Sequence, residues 1–118
     1  MELIACVGSD KENWGQITAL MHRLECEKII LVMYDGVSDF PINEKCLTVR
    51  MKIAQPIALL KQELLEKLRP LLSSDFEVAV SLASGSGKEH MALLGALLNI
   101  PVGVKLVVYT KDGIQFIT

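Results

Sequence analysis

The chain has 118 residues, 51% of them hydrophobic and 22% charged, which suits one modest globular domain and excludes a disordered or low-complexity protein. Its formal net charge of -2 offers no basic footprint for a nucleic-acid backbone, so direct duplex binding is not expected. Aromatic residues are only 5%, which leaves the core to Leu, Ile, Val, Ala and Met.

Leu3–Val7 is a short apolar run closed by Gly8 and predicts a buried strand. Ser9 and Glu12 have the spacing of a capping box, and Trp14, Ile17, Leu20, Met21 and Leu24 then line one helical face. Lys28–Tyr34 predicts a second buried strand, broken by Asp35-Gly36, with loop as far as Pro41. Cys46–Ile53 alternates in part and predicts a third strand that carries Arg50 and Lys52 on one face, the usual placement of a solvated pair.

Pro56 suits the first turn of a helix running through Leu60, Leu64 and Leu68 and disturbed at Pro70. Phe76–Leu82 predicts a fourth strand, and Glu89–Leu98 a helix that is apolar nearly all round. Val104–Thr110 predicts a fifth strand, turned back by Asp112-Gly113 into an antiparallel strand over Ile114–Thr118.

This alternation predicts one α/β domain over residues 1–118: a Rossmann-like, mostly parallel sheet with helices on both faces and a C-terminal antiparallel hairpin. A helix packed on a sheet buries only a stripe. The apolar surplus of Glu89–Leu98 therefore points to a homodimer contact through helix 89–98, or to a helix wedged beneath its neighbours.

No uncharged apolar run approaches the ~18 residues of a membrane span. Met1–Gly8 has neither a basic n-region nor a cleavage site, so a cytoplasmic protein without membrane contact is expected. Cys6, Cys26 and Cys46 form no C-x-x-C pair, and His22 and His90 are far apart; no metal and no cofactor are expected.

Ligands of open α/β sheets sit beyond the carboxyl ends of the strands. The richest such segment here is Ser84-Gly85-Ser86-Gly87-Lys88, where glycine amides, two hydroxyls, a lysine and a helix N-terminus suit a phosphate or another anion. A Walker A loop would need glycine at Leu82 and Ser or Thr at Glu89. The dinucleotide fingerprint would need glycine at His90 and a place after the first strand. Neither pattern is met. In a purely structural reading, Ser86 and Glu89 form a capping box and the glycines allow a tight turn. Gly8-Ser9-Asp10-Lys11 ends the first strand, and Ser9 and Lys11 would face the same crevice as Lys88 if the two loops are neighbours. Trp14 reads as core filling.

The order of elements, with a glycine-rich turn and Lys88 after the fourth strand, resembles the CRISPR-associated Rossmann fold family. In residues the resemblance rests on Ser84-Gly85-Ser86-Gly87-Lys88, similar to that family's Ser/Thr-Gly-Gly-Thr-Lys turn, with Gly-Ser-Gly in place of Gly-Gly-Thr. It implies a dimeric sensor that binds cyclic oligoadenylate or a similar nucleotide phosphate through Lys88 and the loop amides, with Ser9 nearby; together with the residue reading this makes Ser84, Gly85, Ser86, Gly87 and Lys88 the expected ligand contacts, with Ser9 and Lys11 in support. It also implies an enzymatic alternative, a metal-independent ring nuclease in which Ser9 and Lys88 are catalytic. A regulatory protein-interaction domain with no small-molecule ligand is the third expectation. The domain is expected as a free-standing sensor, a remnant, an excised domain, or a fold relative that binds something else.

Overall fold

A computed structural model describes residues 1–72 and 76–118. Its elements are β1 (Glu2–Val7), α1 (Trp14–Arg23), β2 (Ile29–Tyr34), β3 (Cys46–Met51), α2 (Ile57–Leu68), β4 (Glu77–Ser81), α3 (Gly87–Leu97), β5 (Gly103–Thr110) and β6 (Gly113–Phe116). Short 3-10 turns precede α1 at Lys11–Asn13 and follow α2 at Arg69–Leu71.

Among the described residues the strands form one sheet in the order β3-β2-β1-β4-β5-β6. All neighbours are parallel except β5 and β6. The expected α/β class, mostly parallel sheet and C-terminal antiparallel hairpin are thus present. The chain leaves β1 on one side towards β2 and returns on the other as β4, so the order reverses between β1 and β4. Ligands of open α/β sheets sit at such a switch point.

The sheet is buried on both faces because β1, β2 and β4 are apolar at successive positions rather than alternate ones. Leu3, Ala5, Val7, Ile29, Leu31 and Met33 pack towards Ile17, Leu20 and Met21 of α1. Ile4, Cys6, Ile30, Val32, Val78 and Val80 pack towards Leu60, Leu64, Leu93 and Leu97 of α2 and α3. Among the described residues, helices therefore cover both faces, one on the first and two on the second. Among the described residues no helix is long and apolar enough to cross a membrane.

Several boundaries differ from the sequence reading for identifiable reasons. β3 stops at Met51 rather than Ile53, because the Ile53 N–H turns to Asp35 Oδ1 (3.1 Å) and its carbonyl accepts from Lys88 Nζ (2.8 Å). α3 begins at Gly87, two residues earlier than expected, since Ser86 is extended and already takes the N-cap position. The hairpin turn centres on Lys111-Asp112, one residue early, with Gly113 at φ +103° paired opposite Thr110. That left-handed φ is open to glycine and strained for most other residues.

The apolar helix α3 is covered more fully than a lone helix on a sheet, because α2 lies beside it on the same face. Ala92, Leu93, Ala96 and Leu97 are buried, whereas Met91 and Leu98 remain 67% and 80% exposed. Close approach of the helices is helped by Gly95, where a Cβ would meet Lys61 Cγ at 3.2 Å.

Candidate functional site

The loops after β1 and β4 meet at the switch point, and one carboxylate holds them together. Asp10 Oδ1 accepts from the Ser84 hydroxyl at 2.6 Å and from the Gly85 N–H at 3.0 Å. The Ser84 hydroxyl accepts in turn from the Gly8 N–H at 2.9 Å. Asn13 Nδ2 donates to the second Asp10 oxygen at 2.7 Å. Partial burial works against the charged carboxylate, but the hydrogen bonds from Ser84, Asn13 and Gly85 prevail and hold its pKa below the ordinary aspartate value.

The clasp demands two glycines. A Cβ on Gly8 would sit 2.8 Å from the Gly85 Cα and 2.8 Å from Asp10 Oδ1. Gly85 has φ +100°, and a Cβ there would lie 2.8 Å from Glu89 Oε2 and 2.9 Å from Cys6 Sγ. Backbone thus passes against backbone with no space for a side chain between.

Below Gly85 lies a buried polar layer. Glu89, only 8% exposed, accepts from the Ser86 hydroxyl at 3.0 Å, and Cys6 Sγ lies 3.7 Å from its other oxygen. Burial, reinforced by the negative Glu89, pushes the Cys6 thiol well up, so it stays a neutral thiol at physiological pH. Burial likewise raises the Tyr34 phenol, whose hydroxyl is enclosed with no hydrogen-bond partner among the described residues. His90 Nε2 contacts the Ser84 carbonyl at 2.7 Å and secures the loop from the helix side.

The residues expected to bind a ligand divide accordingly. Ser84 is wholly buried, and both its hydroxyl and the Gly85 N–H already serve Asp10; these two hold the loops together. Ser86, Gly87 and Lys88 are exposed at the start of α3. The expected capping box at Ser86 and Glu89 is not formed as such, because the hydroxyl bonds the Glu89 carboxylate and gives no cap bond to the backbone. The first intrahelical bond runs from the His90 N–H to the Ser86 carbonyl, so the amides of Gly87, Lys88 and Glu89 precede the helical ladder.

Ser9 lies exposed at the end of β1, and the helix after it carries no side-chain cap; the expected Ser9–Glu12 capping box is absent because the chain enters α1 through the Lys11–Asn13 turn. Lys11 does not join Lys88. Its ammonium pairs with Asp39 at 2.8 Å and lies 5.6 Å from the Trp14 ring centroid, while Lys88 bonds the Ile53 carbonyl. Trp14 is a packing residue, donating to the Gly8 carbonyl at 2.8 Å and meeting Phe40 edge-on at 5.3 Å.

The sequence reading missed Asp10, whose position between Ser9 and Lys11 after the first strand was the available signal. It also missed that Asp35 and Lys88 fasten the β3–α2 loop from two sides. Among the described residues no three His, Cys, Asp or Glu side chains group as metal ligands. No family model matches the chain, and no curated protein and no solved structure matches it.

Proposed function

We propose that this chain is a nucleotide-binding module of the CRISPR-associated Rossmann type, which takes the phosphates of a cyclic or linear oligoadenylate across the ends of β1 and β4. The reading rests on the first turn of α3. Ser86 occupies the N-cap yet spends its hydroxyl on Glu89, which leaves the Gly87, Lys88 and Glu89 amides without a side-chain cap. This open helix end lies at the switch point of a parallel sheet, where ligands of such folds sit. The Lys88 ammonium is exposed, is held among the described residues by the Ile53 carbonyl alone, and could transfer to a phosphate without breaking an ion pair there.

The contact set narrows to Ser9, Ser86, Gly87 and Lys88, with Ser84 and Gly85 acting through loop shape. Lys11 contributes only by leaving Asp39. A twofold contact over the outer side of α3, through exposed Met91 and Leu98 with half-buried Leu94 between them, would bring two such sites together. Cleavage of the ligand has weaker support: the Ser9 hydroxyl makes no hydrogen bond with any described group that could orient or activate it. Calorimetric titration with cyclic tetra- and hexa-adenylate, on wild type and Lys88→Ala, tests the proposal. Loss of binding in the variant supports it, and a wild type that binds neither ring overturns it.

A further inference from the structure

Trp14 is the first residue of α1 and the one tryptophan of the chain. Its indole N–H donates to the Gly8 carbonyl at 2.8 Å, and its ring meets the buried Phe40 edge-on at 5.3 Å. Gly8 is the residue whose backbone abuts Gly85, so the indole is tied to the same clasp that shapes the glycine loop. These packing contacts fix the ring without enclosing it, and Trp14 stays half-buried. Over the ring lies the Lys11 ammonium, 5.6 Å from the centroid. This cover is solvated rather than core: Lys11 and its partner Asp39 have side chains 63% and 59% exposed.

We infer that the Trp14 ring is the base platform of the nucleotide site, covered by Lys11 while that lysine pairs with Asp39 and bared when it leaves. This role rests on the nucleotide-phosphate reading of the glycine loop and adds the group that contacts a base. A nucleotide carries an anion and a π-face together. The anion draws Lys11 from Asp39, and the same movement uncovers the ring for the base. An exposed ion pair is worth about fivefold or less in an equilibrium, and an exposed cation–π contact about the same. Base–aromatic stacking is worth from about fivefold to about a hundredfold, and Lys11 regains a charged partner in the phosphate, so the exchange favours the nucleotide. A ring already fixed by Gly8 and Phe40 gives up little freedom when a base arrives. A bare anion has nothing to set on the ring, and an uncharged nucleoside does not draw Lys11 away.

With one tryptophan in the chain, its fluorescence reports on this ring alone. Cyclic tetra- or hexa-adenylate, whichever ring binds by calorimetry, should quench Trp14 emission with the same midpoint as the heat signal. Adenosine 5′-monophosphate should quench as well, and ribose 5-phosphate, which carries the anion without the base, should not. Trp14→Phe and Trp14→Leu both lose the bond to Gly8 and differ in the aromatic face. Trp14→Phe should bind the cyclic ligand within about threefold of wild type, and Trp14→Leu about tenfold more weakly. The wild-type emission needs no variant, so the test stands even where a Trp14 change disturbs folding. Calorimetric binding with unchanged emission, equal responses to the monophosphate and ribose 5-phosphate, or equal losses in two variants that fold as wild type would each overturn the inference and leave the phosphate reading standing. If neither ring binds by calorimetry, the phosphate reading fails and the base platform falls with it.

Discussion

Asp10 Oδ1 and the Ser84 hydroxyl, 74 residues apart in sequence, stand 2.6 Å from each other and join the loops that end β1 and β4. Ser84 is fully buried and bonded at both its donor and acceptor sides, so Ser84→Ala strands the Gly8 N–H and strips Asp10 of a partner. The expected loss is about 1–3 kcal/mol, measured as a shift of the urea midpoint at unchanged slope. A change within error would mean that the two loops are held by backbone packing alone.

The Asp10 carboxyl has a lowered pKa in the folded protein, which fixes the sign of its pH dependence. Its contribution is fully present above the unfolded value, about 3.9 for an ordinary aspartate, and disappears as pH falls through the lower folded value. Asp10→Asn should therefore be less stable than wild type at neutral pH, with the gap closing below about pH 4. Parallel denaturation curves at pH 7 and pH 3 check this, and a gap that widens in acid would reverse the assignment.

The glycines of the loop are not equivalent. Gly85→Ala combines φ +100° with contacts of 2.8 and 2.9 Å to Glu89 and Cys6, and Gly8→Ala drives a Cβ onto the Gly85 backbone. Each should cost on the order of 2 kcal/mol or more. Gly87→Ala meets nothing within 4 Å at the first position of a helix and should be neutral or slightly stabilising. Thermal melts of the three variants suffice, and equal losses at Gly85 and Gly87 would contradict the local geometry.

The architecture was legible in the sequence because its signal is local. Runs such as Ile29–Tyr34 have no polar alternation, which demands burial on both faces, and Pro56 marks the start of α2. The site was legible only as a composition. Ser84, Gly85 and Ser86 advertise an anion loop, but the rival for two of those donors, Asp10, arrives from 74 residues away. Long-range pairing of this kind follows from the β1–β4 adjacency, which alternation of elements does not specify. Arg50 and Lys52 are both exposed, as a solvated pair would be, and Arg50 donates to the Val37 carbonyl.

If α3 carries a twofold contact, the paired change Met91→Glu and Leu98→Glu should convert a dimer to a monomer in sedimentation velocity. Both side chains are largely exposed, so the melting temperature of the monomer should shift little. An unchanged sedimentation coefficient would remove α3 as an assembly surface.

The central claim, that the open first turn of α3 binds nucleotide phosphate, is tested most directly by calorimetry with cyclic tetra- and hexa-adenylate on wild type and Lys88→Ala. The account predicts measurable binding of one ring by wild type and a loss of about tenfold or more in the variant, the scale of one charge-assisted phosphate contact. Wild type that binds neither ring, or a variant that binds as tightly as wild type, would contradict it.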